Sequence, residues 1–174
     1  MRKKYIPFAH AKSIFDVSEE FYKANGIKVV LCDLDNTLGS VKEKDPSPRV
    51  FELVKNMNKW GIRFLICSNN TGGRVSRFAS ELGIQVASRM LKPLSFRVKA
   101  FLKKEGINPE EVLLVGDQIM TDVLCGNGAR LKVLLTEPIS PIDPPWTKFN
   151  RIFDRPKRKK LLSRHLVPEW EERL

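Results

Sequence analysis

Two aspartates, Asp33 and Asp35, stand two positions apart just after the apolar run "VVLC". In an extended chain, side chains two apart point to the same side, so both carboxylates face one pocket. Carboxylates that close repel, and each needs a proton or a cation. Farther along, "CSNN" closes a second apolar run with Ser68 and Asn69, and "LKP" sets Lys92 before Pro93. "GDQIMTD" then follows a third run, with Asp117 and Asp122. A cluster of acids calls for a hard divalent cation, and Mg2+ takes a few carboxylates together with water and a phosphate oxygen. The Ser68 hydroxyl and the amides after it can donate to an anion, and Lys92 can serve a phosphate as a point charge. The set reads as phosphoryl transfer. Singly, each pattern has an ordinary reading: Asp-x-Asp is common, Lys-Pro often starts a surface helix, and Gly-Asp makes turns. Their order at successive strand ends carries the inference.

The elements that would position these residues are legible. Short aliphatic runs at 28–33, 62–67, 111–115 and 131–135, with a shorter one at 85–87, barely alternate. Such runs suit strands buried on both faces of a parallel sheet. Between them lie helical patterns. "SPRVFELVKNMNKWG" puts Val50, Leu53, Val54 and Met57 on one face, with Ser47 as N-cap, Pro48 in the first turn and Gly61 beyond the end. "GRVSRFASELG" and "LSFRVKAFLKKEG" have the same form, Pro93 suits the first turn of the latter, and "DVLCGNGA" is a weaker helix. Alternating strands and helices predict a doubly wound, Rossmann-like α/β fold with a mostly parallel sheet, which binds ligands at the carboxyl ends of its strands. We expect one domain over 1–174, with its core at about 27–137, an N-terminal helix over 13–25 and a basic segment over 138–174.

Composition sets outer bounds. A chain of 174 residues with 42% hydrophobic content suits one soluble domain. No apolar run approaches the roughly eighteen residues of a membrane-spanning helix, and the basic N-terminus breaks at Pro7 and His10 before any signal-peptide core forms. The chain reads as cytoplasmic. Cys32, Cys67 and Cys125 form no Cys-x-x-Cys and read as reduced, buried thiols. His10 and His165 match no metal-ligand spacing. The net charge of +11 is concentrated at the ends: four Lys/Arg and no acid in residues 1–12, and eight Lys/Arg against Asp154 alone in 148–164. That pattern suggests a neutral working body and flanks that meet something anionic.

In this order "DLDNTL", "SNN", "KP" and "GDQIMTD" resemble motifs I to IV of the haloacid dehalogenase (HAD) superfamily, and more narrowly the YqeG-type phosphatases of its subfamily IIIA. "KSIFDVSEEFYKANGIK" and "TKFNR" extend the likeness over most of the chain, up to the basic tail. The polar "GSVKEKDPS" and the extra glycine in "GNGARLK" depart from it without touching a motif position. The resemblance implies a Mg2+-dependent phosphomonoesterase. Asp33 would be the nucleophile that forms an aspartyl-phosphate, and Asp35 the general acid and then base. Ser68, Asn69 and Lys92 would hold the phosphoryl group. The metal would take Asp33, the backbone carbonyl of Asp35, and Asp117, with Asp122 completing the acid set by orienting Lys92 or a water on the metal. The short intervals after motif I and between motifs II and III leave no space for a cap domain. An open site suits phosphate on a large body.

Relatives include phosphatidylglycerophosphate phosphatases, so that lipid is the expected substrate. The basic segment would then make peripheral contact with an anionic membrane such as the inner membrane face. Phe149, Ile152, Phe153, Leu161 and Leu162 either line a basic amphipathic helix, interrupted at Pro156, or pack as core. We expect 149–153 to pack and "KRKK" to be exposed. Two alternatives stand: the same chemistry on nucleic-acid or protein phosphate, though no RNA motif supports it, and a non-catalytic binding module on the same fold.

Overall fold

The computed structural model describes residues 2–142 and 148–174, the side chains of Lys148 and Phe149 excepted. The sequence expectation for packing by Phe149 lies outside the described residues. Among the described residues six strands form one sheet: β1 (Ala9–Ala11), β2 (Val29–Cys32), β3 (Arg63–Cys67), β4 (Gln85–Ala87), β5 (Val112–Gly116) and β6 (Lys132–Thr136). Every pairing is parallel, in the order β1-β6-β5-β2-β3-β4. The helices are α1 (Glu19–Ala24), α2 (Pro48–Lys59), α3 (Gly73–Leu82), α4 (Phe96–Lys104), α5 (Leu124–Ala129) and α6 (Lys148–Ser163).

Alternation along each strand divides the core in two. Val30, Cys32, Phe64, Ile66, Leu113 and Val115 pack with α1, α2 and α3. Their neighbours Val29, Leu31, Leu65, Cys67, Val112 and Leu114 pack with α4, α5 and Leu161 of α6. Both faces of the sheet are thus covered, which explains why the strands read as unbroken apolar runs. The four α2 residues placed on one face are the four that α2 buries. All three cysteines are buried. Gly126 is required by close packing, since a Cβ there would overlap the Val133 side chain.

Three expectations are corrected. The N-terminal helix over 13–25 is a 3-10 turn, Ile14–Asp16, followed by only six helical residues in α1. Pro93 does not open a helix: the Lys92–Pro93 peptide is cis and α4 begins at Phe96. Ile152 and Phe153 do not pack as apolar core, because Ile152 is 66% and Phe153 44% exposed while Arg151 and Asp154 are buried.

An edge strand, β1, was not anticipated. It aligns Ala9 with Leu134 of β6 and brings a buried His10 between two acids. Its Nδ1 lies 2.9 Å from both Glu169 carboxylate oxygens and its Nε2 lies 3.0 Å from Glu137 Oε1. Carboxylates at both ring nitrogens call for the imidazolium. Burial opposes that charge, but the two glutamates outweigh it and raise the pKa above 6.5. A raised histidine stabilises the fold fully below its unfolded pKa, and the contribution is lost as pH rises through the folded one. The thermal midpoint is therefore expected to fall as pH rises above about 6.5, in a step absent from His10→Gln. A gap between the two proteins that stays constant from pH about 5 to about 9 would rule out the charged form.

Candidate active site

The chain runs from β2 outward through β3 and β4, then returns to β5 and runs the other way. Strand order reverses between β2 and β5, and at such a reversal the loops leave in opposite directions and open a crevice at the carboxyl edge. Asp33 leaves β2 with its N–H donated to Val115 O at 2.8 Å. Asp117 follows β5 and Ser68 follows β3. The crevice is an open-mouthed cavity of ≈ 190 Å³ that Asp33, Asp35, Ser68, Asn69 and Lys92 help to line. That is below the several hundred Å³ typical of a small-molecule pocket and is of a size to take a phosphoryl group.

Lys92 is the hub. Its Nζ donates to Asp33 Oδ1 at 2.6 Å, Asp122 Oδ1 at 2.7 Å and Cys67 O at 2.9 Å, which uses all three N–H bonds. Burial opposes the ammonium, but Asp122 and Asp33 outweigh it and hold its pKa well above the ordinary value. Asn69 fixes the lysine backbone from both sides: Lys92 N donates to its Oδ1 at 2.7 Å, and its Nδ2 donates to Lys92 O at 2.9 Å. Asp122 is fully engaged, because its Oδ2 accepts from Gln118 N at 3.2 Å and Thr121 Oγ1 at 3.1 Å. Its fit depends on Gly116, where a Cβ would overlap the Asp122 carboxyl.

Sequence reasoning places all four acids on this rim, and the structure sorts them. Asp33, Asp117 and Asp122 each bring an oxygen into a cluster within 4.8 Å. The Asp35 carboxylate lies outside that cluster and pairs with Arg74 of α3, which also donates to Ser40 O at 2.7 Å and Glu43 O at 2.6 Å. Ser68 is buried, accepts from Asn70 N at 3.0 Å, and keeps its hydroxyl hydrogen for an anion.

The residues that the sequence did not reveal come from α3 and α6. Arg151 pairs with Asp117 Oδ2, and Asn150 lines the cavity. Arg158 donates to Asp117 O at 2.6 Å, Thr136 O at 3.0 Å and Glu137 Oε1 at 2.9 Å. "KRKK" is therefore not wholly exposed: Arg158 is turned inward and Lys157 is half-buried over the rings of Tyr5 and Phe153.

The cluster fits a divalent cation. Asp117 Oδ1 is buried and takes no hydrogen bond from the described residues. Three carboxylates pair directly with two cations, Lys92 and Arg151, while Arg158 reaches only the Asp117 carbonyl and pairs with Glu137. Burial pushes Asp33 up to about 8 and Asp117 up to about 7, although Lys92 and Arg151 pull the other way. Positive charge is what the site lacks, and hard oxygen donors suit a hard ion.

Comparison with known proteins agrees with this geometry. The model of a family described as mitochondrial PGP phosphatase matches residues 1–140. The probable phosphatase YqeG of Bacillus subtilis (strain 168) is 32% identical over 172 residues, 99% of each chain. Phosphatidylglycerophosphate phosphatase 1, chloroplastic/mitochondrial, of Arabidopsis thaliana is 25% identical over 154 residues. That match covers 83% of this chain and 44% of the relative, so the chain spans less than half of that protein's length. Among solved structures, the cobalt-bound deoxy-D-mannose-octulosonate 8-phosphate phosphatase of Haemophilus influenzae superposes with a TM-score of 0.50 and 18% identity, over 67% of this chain and 81% of that one. At that identity the likeness bears on the fold. The chain belongs to the PGP phosphatase family, as a YqeG-type member, and is a phosphatase acting on phosphoric monoesters.

Proposed function

We propose that the protein is a Mg2+-dependent phosphomonoesterase that works through an aspartyl-phosphate on Asp33, with phosphatidylglycerophosphate as its substrate. The observation that carries this reading is the Lys92 ammonium shared between Asp33 and Asp122 at the floor of an open cavity. A carboxylate oxygen of Asp33 attacks phosphorus, the bond from phosphorus to the leaving oxygen breaks, and Asp35 gives that oxygen its proton. Water then attacks the same phosphorus and gives a proton to Asp35. The bond to Asp33 breaks and inorganic phosphate leaves. Arg74 holds Asp35 at the cavity rim. Ser68 donates to a phosphoryl oxygen, and Lys92 offsets charge on both the nucleophile and the phosphoryl group. Asp33 and Asp117 are the residues that would hold Mg2+, which when bound neutralises charge on the phosphoryl oxygens. Asp122 serves as the anchor of Lys92.

The substrate reading is supported by the matched family and the Arabidopsis relative, whose names carry that lipid, and by a cavity too small for the rest of a phospholipid. Among the described residues no helix is long and apolar enough to cross a membrane. Contact with an anionic bilayer would therefore be peripheral, through exposed cations of α6 and the turn after it such as Arg155, Lys159, Lys160 and Arg164.

The deciding assay is phosphate release from phosphatidylglycerophosphate in mixed micelles, against a soluble aryl phosphate. We expect fast release from the lipid that stops with EDTA and returns with Mg2+. Activity on the aryl phosphate alone would remove the lipid and keep the chemistry. Hydrolysis that ignores EDTA would remove the metal.

A further inference from the structure

The strand-end patterns leave out α6 and the family model ends at residue 140, although the YqeG match runs through it. Yet α6 is held with two of its charged side chains, Arg151 and Asp154, buried inward. Its first half buries Arg151 and Asp154 and exposes Ile152 and Phe153, the reverse of what burial of apolar surface would choose. Buried charge that could have been apolar asks for a reason.

The partners supply it. Arg151 Nη2 pairs with Asp117 Oδ2, and its Nη1 donates to Asp117 O at 3.2 Å. One turn on, Asp154 Oδ1 accepts from Ile119 N at 2.5 Å and Met120 N at 3.2 Å. A turn later, Arg158 reaches Asp117 O. All three contacts fall on the segment that carries Asp117 and Asp122, where Ile119–Val123 forms one π-helical turn, and Arg151 meets the carboxylate itself.

We propose that Arg151 is a positioning residue for the metal-binding carboxylate: it occupies Asp117 Oδ2, leaves Oδ1 as the ligand oxygen, and makes α6 a working part of the site. This inference rests on the reading of Asp117 as a metal ligand. A guanidinium so close also repels a divalent ion. What still favours binding is that these three acids pair directly with Lys92 and Arg151 alone, Arg158 reaching only the Asp117 carbonyl and pairing with Glu137, and that Asp117 Oδ1 takes no hydrogen bond from the described residues. Without Arg151 the buried Asp117 side chain would lose its only side-chain partner among the described residues and be free to turn.

The test is Mg2+ affinity by isothermal titration calorimetry, with hydrogen exchange on α6. Arg151→Met is expected to bind Mg2+ about 10- to 100-fold more weakly. Its α6 should stay protected, since the Asp154 and Arg158 contacts persist. Arg151→Lys should fall between Arg151→Met and wild type, because an ammonium restores the charge and not the two-point grip. Unchanged affinity in Arg151→Met with α6 protected overturns the proposal. So does tighter binding, which would make Arg151 a competitor of the metal. If Arg151→Met does not fold, the wild type decides: Mg2+ should slow exchange at 117–123 and 151–158 together, and slowing confined to 117–123 overturns the proposal. If Asp117→Asn binds Mg2+ as wild type does, the reading of Asp117 has failed, and not only the part assigned to Arg151.

Discussion

Asp33→Asn is expected to fold as wild type does and to lose at least about a thousand-fold in turnover, about 4 kcal/mol of barrier. The amide is nearly isosteric with the carboxylate, and its carbonyl can still accept the Lys92 hydrogen bond, which is 2.6 Å long in the native protein. The substitution also removes one buried charge from a cluster whose acids outnumber its cations, so the thermal midpoint should not fall. What disappears is the nucleophile, since a carboxamide does not displace an alkoxide from phosphorus. Steady-state phosphate release and the thermal midpoint measure the two halves of this expectation. Acid-quenched wild type given a radiolabelled substrate should carry label that hydroxylamine removes, as an acyl phosphate does, and the variant should carry none. Multiple-turnover activity within about ten-fold of wild type in folded Asp33→Asn would place the nucleophile elsewhere.

The sequence disclosed what local periodicity encodes. Strands buried on both faces read as apolar runs, and α2 as the spacing of Val50, Leu53, Val54 and Met57. The strand-end residues Asp33, Ser68, Lys92, Asp117 and Asp122 were legible because the fold class assigns strand ends to one edge. Periodicity reports which side of an element is buried and not which charge meets which. Arg74 reaches Asp35 across 39 residues, and Arg151 reaches Asp117 across 34. The Ala-His-Ala of β1 has neither length nor alternation, and its glutamate partners lie 127 and 159 residues away. Pro156 misled in another way. A proline normally breaks a helix by deleting a donor and crowding the preceding turn, yet here it stays inside α6. It sits on the solvent side, where water can serve the carbonyl it releases. The long-range pairs on either side of it, through Asp154 and Arg158, keep the helix in place.

Lys92→Met is expected to abolish activity and also to lower stability by about 3–5 kcal/mol, on the order of 10 °C in thermal midpoint. Methionine fills much of the lysine volume, so the loss comes from charge and not from a cavity. It leaves Asp33 and Asp122, now without their shared ammonium, facing each other in a buried site, together with a Cys67 carbonyl that has lost its donor. The cost belongs to the pair of carboxylates, so removing one of them should return much of it. Asp33→Asn/Lys92→Met is expected to regain at least half of the lost stability, an interaction term that only contacting residues show. Urea unfolding of the four proteins in EDTA measures the cycle. A double variant no more stable than Lys92→Met would assign the loss to packing, and a single variant as stable as wild type would mean that the ammonium carries no net weight in the fold. Activity should follow the opposite course and stay absent in the double variant, because stability needs only that buried charges balance, whereas phosphoryl transfer needs the nucleophile and the lysine both in place.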